Sequence, residues 1–346
     1  MPGDRIAPEA LEGWTQALLE ASGLEAAAAE TVAVSLVDAN RRGVDSHGVA
    51  RVPIYCERLR AGLVNNRPRP RVEREDGAVA LIDADRGPGQ VAGVLATDHA
   101  VQLARRHGAG VVSVHRSSHY GAAAYYAIRA AQAGMVGIST TNSEPFVIPY
   151  GGVGRALGTN PVALAAPTPD GIFDVDMATS QVAVNKIFNA RDEGRTIPAG
   201  WGVDEQGQPT TDPAQVHSAV PLGGYKGYAL AVLVEVLSGA LSGAGVGREV
   251  GNLYEGGETQ DVGHFHLAID PDRLAGRVRF AEALGGLLET LKAMPAAPGH
   301  DEVLVPGEPE ARAKAARERD GIPLPPTLWA TLETLGGELG VVAPAR

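Results

Sequence analysis

Apolar side chains recur every three or four residues through the first sixty positions, which is the spacing of amphipathic helices. The pattern predicts two helices within residues 7–42, interrupted at Gly23. A third helix is predicted over about 46–61, although Pro53 allows it to start later. Residues 65–70 contain two prolines, which end the helical region.

The middle of the chain alternates short apolar runs with helical patterns, as expected for a mixed α/β region. The predicted strands cover residues 78–83, 110–114, 135–141, 161–166, 173–177 and 264–269. The predicted helices between them cover about 90–107, 121–133 and 228–241. From about residue 275 the pattern is helical again, apart from the stretch at 294–309, which is rich in proline and glycine. These changes divide the chain into residues 1–70, 71–275 and 276–346.

The composition is that of an ordinary globular protein, with 44% hydrophobic and 21% charged residues. The 346 residues include 30 basic and 41 acidic side chains, a formal charge of −11, which argues against nucleic acid or an anionic membrane surface as a partner. Neither a leader peptide nor an apolar run of about 20 residues is recognised. Cys56 is the single cysteine, so no intramolecular disulfide or cysteine-based metal cluster is expected. We therefore expect a cytoplasmic protein, with an enzyme as the favoured class.

Two glycine-rich segments resemble nucleotide-binding loops but lie in the wrong context. Residues 243–247 follow a predicted helix, whereas the dinucleotide-binding loop of a Rossmann fold follows a strand and opens a helix. Residues 87–89 contain a proline, and no acidic residue ends a second strand at the required distance. A Rossmann site is therefore not expected. No metal site is expected either, because His264 and His266 have no third ligand close in sequence.

A histidine and an arginine four residues apart form the first candidate site. On a helix, His47 and Arg51 would share one face. The imidazole can transfer a proton near neutral pH, and the guanidinium can hold a carboxylate with two parallel hydrogen bonds. Such a pair suits a 2-oxo acid, whose carbonyl oxygen is protonated as hydride arrives. The alternative is a helix start capped by Asp45 or Ser46 with the histidine and the arginine exposed, and spacing alone favours this alternative.

Residues 117–121, with the sequence Ser-Ser-His-Tyr-Gly, form the second candidate site. They join the end of a predicted strand to the start of a helix. Backbone N–H groups at a helix start, together with serine hydroxyls, can bind a phosphate or a carboxylate. A plain helix cap explains the same residues equally well.

These two candidate sites lie within a series of motifs that resembles one known family. Residues 45–48, followed by Arg51 and Tyr55, resemble the first signature of the second-type malate/L-lactate dehydrogenases, and residues 117–121 are similar to the second. Further matching motifs follow in the same order at residues 141–142, 149–152, 157–161, 176–180, 221–228, 306–308 and 321–324. The family also contains sulfolactate, ureidoglycolate, diketogulonate and piperideine-2-carboxylate oxidoreductases. Because nearly the whole chain is covered, the sequence is identified as a member of this family.

The resemblance implies a mixed α/β fold that is distinct from the Rossmann fold. A central mixed sheet within residues 71–275 would carry the cofactor, and the helical regions 1–70 and 276–346 would pack together. The implied activity is that of an oxidoreductase that uses NAD or NADP to interconvert a small 2-oxo acid and its 2-hydroxy acid, of malate, lactate or sulfolactate type. A cyclic imine carboxylate or a diketo sugar acid is the alternative substrate, and a cofactor-binding protein without catalysis is the non-enzymatic alternative. Family members are dimers or larger, so a homodimer or a larger homo-oligomer is implied.

The resemblance also implies roles for individual residues. The catalytic group would be His47, supported by Ser46, with His119 as a second candidate for proton transfer. The substrate-binding residues would be Arg51, Thr159 and Asn160. The cofactor contacts would be Ser118, His119, Tyr120, Gly121, Asp176, Met177, Ala178, Lys226, Pro306, Gly307, Glu308 and Arg312.

One family position differs in this chain. Some relatives carry an acid after an Ala-x-Gly sequence near the catalytic histidine, whereas here Asn185 replaces the glycine and Lys186 follows. A carboxylate relay through this position is therefore not expected, and Lys186 could pair with an anion or an acidic neighbour instead. The substrate, the choice between NAD and NADP and the choice between His47 and His119 stay open at the level of sequence.

Overall fold

The computed structural model describes residues 5–255 and 257–345, which form strands and helices around a central sheet. The strands, in chain order, are β1 (Arg5–Ile6), β2 (Arg71–Asp76), β3 (Val79–Asp83), β4 (Ala109–Ser117), β5 (Val136–Thr141), β6 (Val162–Thr168), β7 (Gly171–Met177), β8 (Gly202–Val203), β9 (Pro209–Thr210), β10 (Ser218–Ala219), β11 (Val262–Ile269) and β12 (Ile322–Pro323). The α-helices are α1 (Pro8–Ala21), α2 (Ala26–Arg41), α3 (Val52–Arg60), α4 (Gly89–His107), α5 (Ala124–Gln132), α6 (Val184–Asp192), α7 (Tyr225–Val234), α8 (Arg277–Lys292), α9 (Glu308–Asp320) and α10 (Pro326–Leu339).

The central sheet has seven strands in the order β2-β3-β4-β11-β5-β6-β7. In this sheet β3 and β4 run parallel, with α4 between them in the chain, and each other neighbouring pair is antiparallel. A Rossmann domain has a mostly parallel sheet, so this topology confirms the expected mixed, non-Rossmann fold. β2 forms one edge of the sheet, and all six of its residues are exposed and mostly charged.

Helices α4 and α5 pack against the strands of the central sheet. The buried positions of α4 are mostly glycines and alanines, among them Ala92, Ala96 and Ala100. Small side chains let this helix lie close to the sheet, where the cluster includes Ile82 and Val114. The chain between β4 and α5 crosses the end of this layer and carries the second candidate motif.

The two ends of the chain share a second hydrophobic core. Helices α1 and α3 pack against α10, and the ring centroids of Trp14 and Trp329 are 5.3 Å apart. β1 pairs with β12, which joins the same two ends. The expected packing of the helical regions is therefore confirmed, whereas the division into residues 1–70, 71–275 and 276–346 remains a prediction.

The predicted helix over 46–61 is wrong in its first half. Two short 3-10 turns precede α3, which begins at Val52. Gly48 lies between the turns with φ −91° and ψ −149°, far from helical values. Pro53 occupies the first turn of α3, where its missing N–H has no partner to lose. The first candidate motif therefore lies on two turns and not on one face of a helix.

The apolar helix predicted over 228–241 begins earlier and changes its geometry. α7 starts at Tyr225, and a π-helical segment, Glu235–Ala240, follows it. The carboxylate of Glu235 is buried there and accepts a hydrogen bond from the amide of Asn160 at 2.9 Å. No helix in the described part of the chain is both long enough and apolar enough to cross a lipid bilayer.

Candidate active site

A cleft of about 1360 Å³ is lined by residues of the N-terminal helical region, of β7 and of the loop that precedes α9. Its volume exceeds the roughly 300–1,000 Å³ of an ordinary small-molecule pocket, so a dinucleotide and a small acid could bind together. Part of the lining comes from His47, Arg51 and His119, here named the histidine group. Another part comes from residues around Asp174 and Gly307, here named the loop group.

The turn that carries His47 is held by Asn40 on α2. The buried Asn40 side chain accepts a hydrogen bond from the Val49 N–H at 2.8 Å and donates one to Asp45 at 2.7 Å. Gly48 fits against this amide because a Cβ atom at that position would overlap the Asn40 Oδ1 atom. The geometry of the motif thus depends on close contact between a glycine and a buried amide.

His47 lies between a serine hydroxyl and an arginine. Its Nδ1 atom is 3.0 Å from the Ser46 hydroxyl, and the Arg51 Nε–H donates to the Ser46 carbonyl oxygen at 2.8 Å. Burial lowers the pKa of His47 to about 3, and the positive charge of Arg51 acts in the same direction. The imidazole is therefore neutral at physiological pH and can accept a proton.

The His119 ring stacks on the His47 ring, with centroids 5.9 Å apart and 16° between the planes. The Tyr55 hydroxyl is 2.6 Å from the His119 Nδ1 atom and accepts a hydrogen bond from the Gln90 amide at 3.0 Å. The Gly121 N–H donates to the same Nδ1 atom at 3.3 Å. Burial holds the pKa of His119 well below its ordinary value. Because Nδ1 accepts hydrogen bonds, the neutral ring carries its proton on Nε2.

Two carboxylates of β7 belong to the loop group. Asp176 accepts a hydrogen bond from the Ala124 N–H, at the start of α5, at 2.9 Å, and burial raises the pKa of Asp176 to about 6. Asp174 forms an ion pair with Arg42 at 2.5 Å. Gly307 has a left-handed backbone, with φ 81°, and a Cβ atom there would lie 2.7 Å from the Asp174 Oδ1 atom. The loop before α9 therefore packs on β7 at a position that requires glycine.

The structure gathers most of the predicted site residues around one cleft. Those that line it are Ser46, His47, Arg51, His119, Gly121, Thr159, Asp176, Met177, Ala178, Pro306 and Gly307. Predicted substrate residues and predicted cofactor residues thus share one surface. The individual roles assigned to them remain predictions.

Three further predicted residues are buried behind this lining, namely Ser118, Tyr120 and Asn160. The Tyr120 ring stacks on Tyr126 with centroids 4.6 Å apart, and its hydroxyl is 3.2 Å from the Ser139 hydroxyl. The Asn160 amide donates to the Glu235 carboxylate at 2.9 Å and to the Ala231 carbonyl oxygen at 3.0 Å. These contacts shape the walls of the cleft, and direct ligand contact by the three residues stays a prediction.

The last three predicted residues lie outside the cleft lining. Glu308 and Arg312 pair with each other at 2.6 Å, and they also pair with Lys292 and Glu302, respectively. These ion pairs brace the loop before α9. Lys226 is exposed at the start of α7, so its predicted cofactor contact is not explained within one chain.

The sequence predicts no role for three polar side chains near the histidine group, namely Tyr55, Glu144 and Asn185. Tyr55 lies within the first signature and orients His119, so the motif itself could have pointed to it. The Asn185 amide lines the cleft and approaches the Ser46 carbonyl oxygen at 3.5 Å, whereas Lys186 is exposed. Glu144 follows β5 without any motif, and the fold brings it close enough to Arg51 for the charge of each to shift the pKa of the other.

Two histidines of β11 lie behind the cleft. His264 and His266 are buried on one face of the strand, and their ring centroids are 4.6 and 6.4 Å from that of Tyr120. Among residues 5–255 and 257–345, no three or more His, Cys, Asp or Glu side chains are grouped as metal ligands.

Comparisons with known proteins agree on one family. The chain matches the family model described as malate/L-lactate dehydrogenase over residues 6–333. It is 39% identical over 306 residues to the ureidoglycolate dehydrogenase (NAD(+)) of Escherichia coli O157:H7, with 88% of each chain covered. It is also 39% identical to a malate dehydrogenase of Pyrococcus horikoshii, with 97% of this chain and 96% of that protein covered.

A solved structure extends the agreement to the fold. The sulfolactate dehydrogenase from Methanocaldococcus jannaschii superposes with a TM-score of 0.92 at 37% identity, covering 98% of both chains. These relatives are dehydrogenases of hydroxy acids, and the cleft described above contains side chains suited to proton transfer and carboxylate binding. The chain therefore belongs to the malate/L-lactate dehydrogenase family of oxidoreductases.

Proposed function

We propose that this protein catalyses reversible hydride transfer between NAD and a small 2-hydroxy acid or its 2-oxo acid. The observation that carries the proposal is the cleft in which His47, Arg51 and His119 meet. An imidazole that is neutral at physiological pH can take the hydroxyl proton of the alcohol, and a guanidinium can hold the carboxylate. The reaction requires from the protein both a group that accepts the proton and a group that binds the carboxylate.

The hydrogen bonds around the two histidines support different roles. The His119 Nδ1 atom accepts from Gly121, so its Nε2–H is left to donate to the oxygen on C2 of the substrate. His47 has the Ser46 hydroxyl at Nδ1 and can donate a proton to it, which leaves Nε2 as a bare acceptor. We therefore assign proton transfer to His47 and polarisation of the substrate oxygen to His119, while Arg51 holds the carboxylate.

The cleft residues also fit a nicotinamide dinucleotide. When bound, this cofactor accepts or supplies the hydride. Asp176 offers a carboxylate to a sugar hydroxyl, and the start of α5 places the positive end of a helix dipole at the cleft. Arg42 already pairs with Asp174 and so is not left for a 2′-phosphate. NAD is further supported by the relative whose name specifies NAD(+).

A homodimer is part of this proposal. α7 and the π-helical segment after it expose apolar side chains, including Leu233 and Val236, and Tyr225 and Leu241 are exposed at the two ends of this stretch. Several large apolar side chains exposed along one helical stretch are typical of a surface that a partner covers. Covering it with a second copy would also give Lys226 a route to the cofactor of the other subunit.

We further propose a cytoplasmic location. The sequence has one cysteine, Cys56, and its thiol is buried. A chain that forms no disulfide within itself suits a reducing compartment.

A panel of 2-oxo acids with NADH and with NADPH tests the activity by the absorbance of the reduced nicotinamide. We expect NADH-dependent reduction of at least one acid. His47→Ala should lower kcat by about 10²–10⁴-fold while leaving the NADH Kd nearly unchanged. His300→Ala, at an exposed position, is the control and should keep wild-type activity. No turnover of any acid, or an unchanged kcat in His47→Ala, would contradict the proposal.

A further inference from the structure

Glu144 places an unsatisfied carboxylate oxygen at the histidine group. The residue follows β5 and lines the cleft together with His47 and Arg51. Its Oε2 atom is buried and has no hydrogen-bond partner within the described residues. Leaving a buried acceptor without a donor is unfavourable, so such an atom at the wall of a cleft calls for a donor that enters with a ligand.

Two guanidinium groups act on this carboxylate, and neither donates a hydrogen bond to its free oxygen. Burial raises the pKa of Glu144, while a hydrogen bond from its own backbone N–H and the charges of Arg51 and Arg58 oppose that effect. Arg51 donates its Nε–H to a backbone carbonyl oxygen, and Arg58 donates to the carbonyl oxygens of residues 252, 253 and 258. The backbone N–H and the two arginines thus stabilise the charge of Glu144, and its Oε2 atom stays without a donor.

The loop that presents Glu144 is braced. The Ser143 N–H donates to the Asn160 Oδ1 atom at 3.2 Å, and the Ser143 hydroxyl oxygen accepts from the Thr159 N–H at 3.1 Å. Asn160 is itself fixed by the buried Glu235 carboxylate. The carboxylate is therefore held beside the cleft by a connected set of hydrogen bonds, which favours a defined contact with a ligand.

We propose that Glu144 is a specificity residue that accepts a hydrogen bond from an uncharged N–H or O–H group on the side chain of the 2-hydroxy acid. The inference rests on the proposed function, in which Arg51 holds the carboxylate next to C2. An amide-type N–H would satisfy the free oxygen of Glu144, whereas a second carboxylate in the same place would face a like charge. The site therefore favours 2-hydroxy acids that end in an amide-type group over dicarboxylates of the same shape.

L-malate and its 4-amide form a matched pair of probes, because they differ in the terminal group and hardly in shape. With NAD, the wild-type protein should show a kcat/KM about tenfold or more higher for the amide than for malate. Glu144→Gln should reduce this ratio about tenfold or more, since a glutamine amide can donate to the malate carboxylate. Glu57→Gln is the control because it removes the same charge beside Arg58 from an exposed position outside the cleft lining, and its ratio should equal that of the wild type.

A wild-type preference for malate, or an equal ratio in the wild type and in Glu144→Gln, would overturn the inference. If Glu144→Gln does not fold, Glu144→Asp provides the test, because it keeps the charge but moves the carboxylate back by the length of one methylene group. An undiminished preference for the amide in Glu144→Asp would then overturn the inference. Failure of the proposed function looks different, since neither malate, nor its 4-amide, nor lactate would then be oxidised with NAD, and both proposals would fall.

Discussion

Arg317 on α9 binds both carboxylate oxygens of Asp45, with nitrogen–oxygen distances of 2.6 and 2.9 Å. The same guanidinium donates to the Asn40 carbonyl oxygen at 2.6 Å. Because Asp45 also accepts from the Asn40 amide, this ion pair belongs to a network and is not an isolated surface contact. A helix near the end of the chain thus holds the turn that carries His47.

Replacing Arg317 with methionine should therefore lower activity from outside the cleft. We expect kcat/KM for the 2-hydroxy acid to fall by up to about 100-fold, because a small displacement of His47 misaligns proton transfer. Arg319→Met is the matched control, since Arg319 lies on the same helix and pairs with the neighbouring, exposed Asp320. Steady-state kinetics compares the two variants, and equal values of kcat/KM would show that Arg317 has no positioning role.

Gly48→Ala should destabilise the fold as well as the site. The added methyl group would overlap the buried Asn40 side chain, so we expect a loss of about 1–3 kcal/mol in the free energy of unfolding. Gly13→Ala on α1 is the control, because no atom lies within 4 Å of the Cβ added there. Alanine should stabilise that helix by up to about 1 kcal/mol. Urea denaturation measures both, and equal stability of the two variants would refute the overlap.

The lowered pKa of His47 predicts the pH dependence of oxidation. A histidine with an ordinary pKa near 6.5 loses its basic form as the pH falls below that value. With a pKa of about 3, His47 stays unprotonated, and its basic form is lost only as the pH falls towards 3. At saturating NAD, kcat/KM for the 2-hydroxy acid should therefore be flat between about pH 5 and 8. A tenfold fall per pH unit starting near pH 6.5 would exclude this state of His47.

The raised pKa of Asp176 predicts that cofactor binding, in contrast to oxidation, depends on pH near 6. Above pH 6 its carboxylate is ionised and can accept hydrogen bonds from sugar hydroxyls, whereas below about pH 6 it is protonated. The NADH Kd, measured by nicotinamide fluorescence, should therefore rise as the pH falls through about 6. Asp176→Asn should remove this dependence, and the exposed Asp272→Asn should keep it. The same pH dependence in Asp176→Asn would assign it to another group.

Local sequence patterns predict the regular elements well, because the spacing of apolar residues follows from which face of a helix or strand is buried. The predicted second helix and the strands of the sheet lie within a few residues of α2 and of β3 to β7. The helix over 46–61 fails in its first half because the backbone at Gly48 is set by the side chain of Asn40, which lies on another helix. A contact of this kind between two elements produces no periodic pattern in the sequence.

The candidate site shows the same limit. His47, Arg51 and His119 can be found from their motifs, since each motif is continuous in the sequence. Glu144 cannot be found in this way, because a single carboxylate after a strand carries no pattern and acquires its surroundings when the loop packs beside Arg51. The sequence likewise could not predict that Lys226 lies outside the cleft lining, because its position is set by the fold.

The charged edge strand β2 has a consequence for association. An edge strand exposes unpaired backbone groups that invite pairing with a strand of another molecule. Such pairing is opposed by the charged residues of β2, because their charges would lose bound water when another strand packs beside them. These residues are Arg71, Glu73, Arg74, Glu75 and Asp76. Continuation of the sheet from molecule to molecule at this edge is therefore disfavoured.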